Sequence, residues 1–235
     1  MNQNFILKKW SVWPPLEGHE KSEESNKAKQ LELLSVVPKM LKRRLSPLAR
    51  IVFCAASQCI ADNKNIPTVF SSTHGELAKS FAMMEMIEMG EEISPTAFSL
   101  SVHNAIAGLF SMAYKNKVQS TVVAPGEEGI AAAFIEAVGL LQEGESEVLV
   151  VLYDEPLVSF YPSAPYQLST DNSQAVALHI TKQGAGLPLS FNSLPDCGDM
   201  GEQPLQVLQL ISFLSGTEKK LMINTARHSW CWNKQ

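Results

Sequence analysis

The run Ser120-Thr121-Val122-Val123 stops at Ala124-Pro125-Gly126 and, after Glu127-Glu128-Gly129, gives way to Ile130-Ala131-Ala132-Ala133-Phe134-Ile135-Glu136-Ala137. β-Branched residues favour a strand, Pro-Gly a sharp turn, and an alanine-rich apolar run a buried helix. Strand, elbow and helix in so short a span is the building unit of an α/β sheet. A side chain at such an elbow sits at the positive end of the helix dipole, which lowers the pKa of a thiol. Gly126 occupies that place, and neither serine nor cysteine lies between Thr121 and the helix body. The geometry of a nucleophile site is there without the nucleophile. Glu127 and Glu128 have two readings: carboxylates near a helix start gain about 0.3–1 kcal/mol from the dipole, or they fill or gate what was once an active site.

The rest of the chain supplies the sheet and helices that such a unit needs. Glu147 to Glu155 is the most strongly apolar strand, expected in the middle of a sheet covered on both faces. Gln174 to Ile180 alternates and predicts the next, antiparallel strand. Ser46 as N-cap and Pro47 at the first helical position predict a helix with Leu48, Ile51, Val52, Ala55, Cys59 and Ile60 on its apolar face. Pro67 to Glu76 predicts a strand ending in a small-polar turn with His74, followed by a helix over Leu77–Met89 whose methionines fill a core or an adaptable interface. Phe5 to Trp13 predicts one or two short strands, with Trp10 and Trp13 as packing residues. Residues 17–30 are polar and charge-mixed and predict a surface loop, while 156–172, carrying Phe160, Tyr161 and Tyr166, form a long aromatic connection. Beyond 190 the pattern weakens: Leu205 to Leu214 predicts a helix, Lys220 to Asn224 a strand, and Trp230-Cys231-Trp232 a docking strand or interface.

With 235 residues, 45% hydrophobic and 18% charged, the chain has the composition of a single globular domain. A net charge of −5, with the one basic cluster confined to Lys39–Arg44, argues against nucleic acid or anionic membrane as partner. Cys54, Cys59, Cys197 and Cys231 show neither metal-ligand nor disulfide spacing, so Cys54 and Cys59 are expected as small core residues, without metal or cofactor. With no secretory signal and no long apolar run, a cytoplasmic location with reduced thiols is the expectation.

The elbow resembles the S-T-V-D-T-A-C-S-S-S-L-x-A-L stretch of β-ketoacyl synthases, with Gly126 where the family has its acyl-accepting cysteine. Arg43-Arg44-Leu45-Ser46 resembles the family's R-R-M-S segment, which opens its first long helix. Ile93 to Gly108 is similar to the P-x-x-F-x-x-S-V-x-N-x-x-A-G segment, which in the family runs close to the dimer contact, and Gln174 to Ile180 is similar to G-A-x-A-x-V-L. A register placing Phe98 at the cysteine would leave the strand, elbow and helix at Gly126 unexplained.

The resemblance implies a truncated thiolase-like α/β fold, about one half of a ketosynthase, with a mixed five-stranded sheet flanked by helices. Residues 1–235 form one ketosynthase-like N-terminal domain, with 190–235 a divergent C-terminal segment. The second half of a ketosynthase supplies two histidines that stabilise the thioester oxyanion and assist decarboxylation, and no matching motif follows Ile180. The expectation is a catalytically inactive chain-length-factor-like subunit, nearest the compact ones of bacterial aryl polyene biosynthesis. It would pair with an active ketosynthase as a heterodimer or dimer of heterodimers, meet acyl carrier protein only indirectly, and shape the acyl tunnel. Phe98, His103, Asn104, Phe110 and Met112 are its interface or tunnel candidates. Two alternatives stand beside it: a thioester decarboxylase or hydrolase using Glu127 or Glu128 as a base of raised pKa, and a homodimeric scaffold that binds carrier protein. A half-fold also needs something to cover its alanine-rich helix, either the C-terminal segment or a partner.

Overall fold

The computed structural model describes residues 2–15, 23–60, 65–157, 172–195, 206–225 and 227–235. The aromatic connection through Phe160, Tyr161 and Tyr166 lies outside the described residues, as do Cys197, Pro204 and the span 17–22.

One sheet organises the chain. Its strands are β1 (Asn2–Trp13), β2 (Thr68–Ser71), β3 (Ser120–Val123), β4 (Glu147–Asp154), β5 (Gln174–Thr181), β6 (Leu187–Pro195), β7 (Lys220–Asn224) and β8 (His228–Lys234). They lie in the order β3-β2-β4-β5-β1-β6-β8-β7. The pairs β2–β3 and β2–β4 are parallel and every other neighbouring pair is antiparallel. The α/β class is as expected, but the sheet has eight strands rather than five. The difference arises at the carboxy end, where β6, β7 and β8 extend the sheet beyond β1.

The described helices are α1 (Glu23–Leu33), α2 (Lys39–Lys42), α3 (Pro47–Cys59), α4 (Leu77–Glu88), α5 (Pro95–Ser99), α6 (Ala105–Tyr114), α7 (Ile130–Glu143) and α8 (Gln206–Ser215). Helix α1 replaces much of the loop expected over 17–30. Its Glu, Lys, Ala, Gln and Leu are good helix formers, and Lys29 pairs with Glu32 one turn on at 3.1 Å. Helix α3 starts as its sequence dictates: Ser46 Oγ accepts the Ala49 N–H at 2.9 Å, with Pro47 at N1.

Strand β4 buries both faces. Val148, Val150 and Leu152 join a core with α7, α8 and the aromatic residues of β6 and β8, whereas Leu149, Val151 and Tyr153 join one with α3 and α6. Phe134 of α7 lies 5.6 Å from the Phe191 ring and edge-on to Trp232 at 5.2 Å. The carboxy-terminal strands therefore supply the cover that the alanine-rich helix needs. Cys54 and Cys59 are buried core residues, and burial pushes their thiols up to about 12 and about 11.

Candidate functional site

Strand β3 ends at Val123, and the elbow continues through a 3-10 turn, Gly126–Glu128, before α7 begins at Ile130. Gly126 has φ 54 and Gly129 φ 55 with ψ −141, backbone conformations open to glycine and costly for L side chains. Gly126 is exposed, and a Cβ built on it meets nothing within 4 Å. A Cβ on Gly129 would instead sit 1.9 Å from Gln206 Oε1. That oxygen accepts the Ile130 N–H at 2.9 Å, so the first residue of α8 caps the amino end of α7. The dipole end that would activate an elbow nucleophile is already occupied by a side chain of the same protein.

Glu128 is tied to the carboxy-terminal strands. Its Oε2 accepts the Trp230 indole N–H at 2.6 Å and the Thr225 hydroxyl at 3.1 Å, and its Oε1 lies 3.4 Å from His228 Nδ1. Burial acts to raise its pKa, but the hydrogen bonds from Trp230, His228 and Thr225 outweigh it and hold the carboxyl below the usual range. A general base of raised pKa does not fit this residue. The side chain of Glu127 lies outside the described residues. Trp230, Thr225, His228 and Gln206 are the site residues that sequence reasoning missed. The Trp-Cys-Trp pattern marked the strand but not its target.

A second polar cluster gathers at the carboxyl ends of β2 and β4. Asp154 accepts from Ser72 Oγ at 2.8 Å, the Thr73 N–H at 2.8 Å and Thr73 Oγ1 at 3.1 Å. Burial raises the pKa of Asp154 and of Glu155, and lowers that of His74 against the attraction of Asp154. His103 packs against Gly75, whose φ of 59 and missing Cβ make room for its ring. His74 thus has titratable neighbours after all, brought in from 29 and 80 positions away. The cluster can hold a proton, and its two hydroxyls, those of Ser72 and Thr73, both donate to Asp154. Among the described residues no group of three His, Cys, Asp or Glu side chains is placed to hold a metal, and no helix is long and apolar enough to cross a membrane.

The interface and tunnel candidates divide. Phe98 on α5 and Met112 on α6 are each more than half exposed, and Asn104 is exposed just before α6. Phe110, by contrast, is 1% exposed and packs among Phe53, Phe70 and Tyr114, with ring centroids 5.4, 5.4 and 4.5 Å away. It belongs to the core because α6 turns that face onto α3 and the sheet. The methionines of α4 do not fill a core either. No residue of α4 or α5 is buried, and Met84, Ile87 and Met89 are at least half exposed.

Residues 10–233 match the model of the β-ketoacyl synthase N-terminal domain. Among solved structures, the chain is similar to one of the ketosynthase ApeO in complex with its chain length factor ApeC from Xenorhabdus doucetiae, at 24% identity and TM-score 0.76 over 98% of this chain and 99% of the matched one. It is also similar to the ishigamide ketosynthase/chain length factor, at 13% identity and TM-score 0.60 over 83% of this chain and 68% of that one. A β-ketoacyl synthase from Burkholderia phymatum STM815 aligns at 11% identity and TM-score 0.55 over 83% and 65% of the two chains. These likenesses establish a thiolase-like fold. No curated protein sequence matches the chain.

Proposed function

Because the chain belongs to the β-ketoacyl synthase family through that family's N-terminal domain, we propose that it is a non-catalytic, chain-length-factor-like subunit that pairs with an active ketosynthase and shapes its acyl tunnel. The observation that carries this reading is a set of large apolar side chains left without cover among the described residues. Met84, Ile87 and Met89 in or just after α4, Phe98 on α5 and Met112 on α6 are at least half exposed, and among the described residues β3 ends the sheet with no strand on its outer edge. A helix of twelve residues with no buried side chain is marginal in water by itself, and an open strand edge is a template for pairing. A partner seated there would relieve both.

Three further features support the reading. Gly126 supplies no nucleophile, and Gln206 fills the helix end behind it. Glu128 is held as a structural anion by Trp230 rather than poised as a base. The match to a chain of the ApeO–ApeC complex spans nearly all of both chains, so a chain of this compact size occurs in a ketosynthase and chain-length-factor assembly. In such an assembly the growing chain sits on the partner's cysteine, carrier protein delivers to the partner, and this subunit's exposed Phe98 limits the tunnel. The reaction chemistry then belongs wholly to the partner. The whole described fold acts as one domain, with residues from 190 onward as its cover.

The experiment is product analysis of the reconstituted pair. With Phe98→Ala, longer acyl products are expected at an unchanged overall rate. Unchanged product length, or thioester turnover by this chain alone, would overturn the reading.

A further inference from the structure

Helix α4 carries its charge at the end where local physics opposes it. Glu85 and Glu88 lie in its last turn and Glu91 and Glu92 directly beyond it, all four exposed. Carboxylates there face the negative end of the helix dipole, and Glu85 with Glu88 sets like charges one turn apart. Among the described residues none of the four has an ion-pair partner, and they do not converge on a metal site. Lys79, the one lysine of the helix, is engaged elsewhere: its Nζ lies 3.2 Å from Glu76 Oε1 and donates to the Leu100 carbonyl at 3.2 Å.

The same charges frame apolar side chains. Met84, Ile87 and Met89 interleave with the glutamates and are at least half exposed, as is Phe98 on α5, which packs beside α4. Between Ser80 and Tyr114 the chain has no lysine or arginine. A second copy of this chain, meeting the face across a two-fold axis, would bring the same surface and set glutamate against glutamate. Like charges in juxtaposition suppress such a pairing. The face that apolar exposure opens to a partner is therefore closed by charge to its own copy. An anionic membrane is excluded on the same ground, and a neutral apolar partner would leave the four carboxylates as unfavourable as they are in the free chain.

A charge pattern that weakens a helix locally is expected where it serves a contact. We propose that this face selects its occupant by charge: it takes a ketosynthase surface whose apolar centre is rimmed by lysine and arginine, and it rejects a second copy of its own chain. The proposal rests on the reading of this chain as a ketosynthase partner and adds to it the chemistry of the partner's surface. The apolar side chains hold the complex together. The glutamates steer its formation, because exposed rim charges act mainly on the association rate and its salt dependence.

The test follows association and dissociation rates of the full chain with an immobilised ketosynthase of its own organism at increasing NaCl. The Debye length falls from about 10 Å at about 0.1 M to about 3 Å at about 1 M. Over that range association of the native chain is expected to slow about tenfold, with dissociation changed less than about twofold. The quadruple variant Glu85→Gln, Glu88→Gln, Glu91→Gln, Glu92→Gln should associate about tenfold more slowly than the native chain at the lower salt, lose most of the salt dependence and melt no lower. Without the synthase it should self-associate about tenfold more tightly than the native chain in sedimentation equilibrium. Glu91→Gln with Glu92→Gln, which lies beyond the helix, shows the same changes at reduced size should the first variant fail to fold. A complex whose association ignores salt, or a folded variant that associates as fast as the native chain or self-associates no better, overturns selection by charge and leaves the pairing standing. Absence of any complex between native chain and synthase overturns the pairing and the proposal together.

Discussion

The indole N–H of Trp230 donates to the Glu128 carboxylate at 2.6 Å across 102 positions of sequence. This bond joins the elbow, where the family keeps its chemistry, to a strand near the carboxyl end. It makes the elbow part of a structural joint, and the joint has measurable consequences.

Glu128→Ala is expected to destabilise the chain by roughly 2 kcal/mol, since hydrogen bonds to a charged group contribute about 1.5–3 kcal/mol in total effect when one is lost. The pH dependence follows from the depressed pKa of Glu128. Its contribution is fully present above the ordinary unfolded carboxylate value and is lost as pH falls through the lower folded value. Urea unfolding from pH 7 down to pH 3 should therefore show a steeper acid loss in the native chain than in Glu128→Gln. Identical slopes would show that the joint carries no charge-dependent stability.

The two elbow glycines should respond differently to a methyl group. Gly126→Ala has open space and meets only backbone strain, about 1–2 kcal/mol. Gly129→Ala adds a collision with the Gln206 carboxamide and costs the cap on the Ile130 N–H, so its loss should exceed that of Gly126→Ala by at least about 1 kcal/mol. Equal losses in thermal or urea unfolding would mean that Gln206 does not seal the elbow.

Restoring the family's cysteine should not restore its chemistry. In Gly126→Cys, made in a Cys197→Ser background, the thiol faces solvent four positions before α7 begins, and the helix end is taken by Gln206. Its alkylation by iodoacetamide should follow an ordinary thiol profile with an apparent pKa near ~8.5. Titration below pH 7 would show that the dipole still reaches Gly126.

How much of this was legible depends on range. The cap at Ser46, the two-faced apolar run of β4 and the strand-to-helix turn at Gly126 are local signals, and all three stand where the sequence puts them. The extension of the sheet was legible only in part: Lys220 to Asn224 and Trp230 to Trp232 read as strands, but β6 did not, and pairs such as Phe191 with Trp232 join segments that each look weak alone. Helix α1 was hidden by its polarity, since charged residues suit an exposed helix as well as a loop. That Phe110 faces the core was not legible, because a motif gives position along a helix but not which face is buried. Gln206, Thr225 and His228 carry no motif, and their roles exist only once the carboxy-terminal strands are folded against the elbow.

The central claim is that the exposed surface from α4 to β3 receives a ketosynthase, and it is tested most directly by solution mass. Light scattering after size exclusion is applied to the chain alone, to the chain co-expressed with a ketosynthase of its own organism, and to the Met84→Asp, Ile87→Asp double variant with the same synthase. The account predicts a stoichiometric complex for the native chain. It predicts no complex for the double variant, whose melting temperature should be nearly unchanged because surface substitutions usually fall within about 0.5 kcal/mol. A native chain that stays a well-behaved monomer or homodimer beside the synthase, or a double variant that still forms the complex, would contradict it.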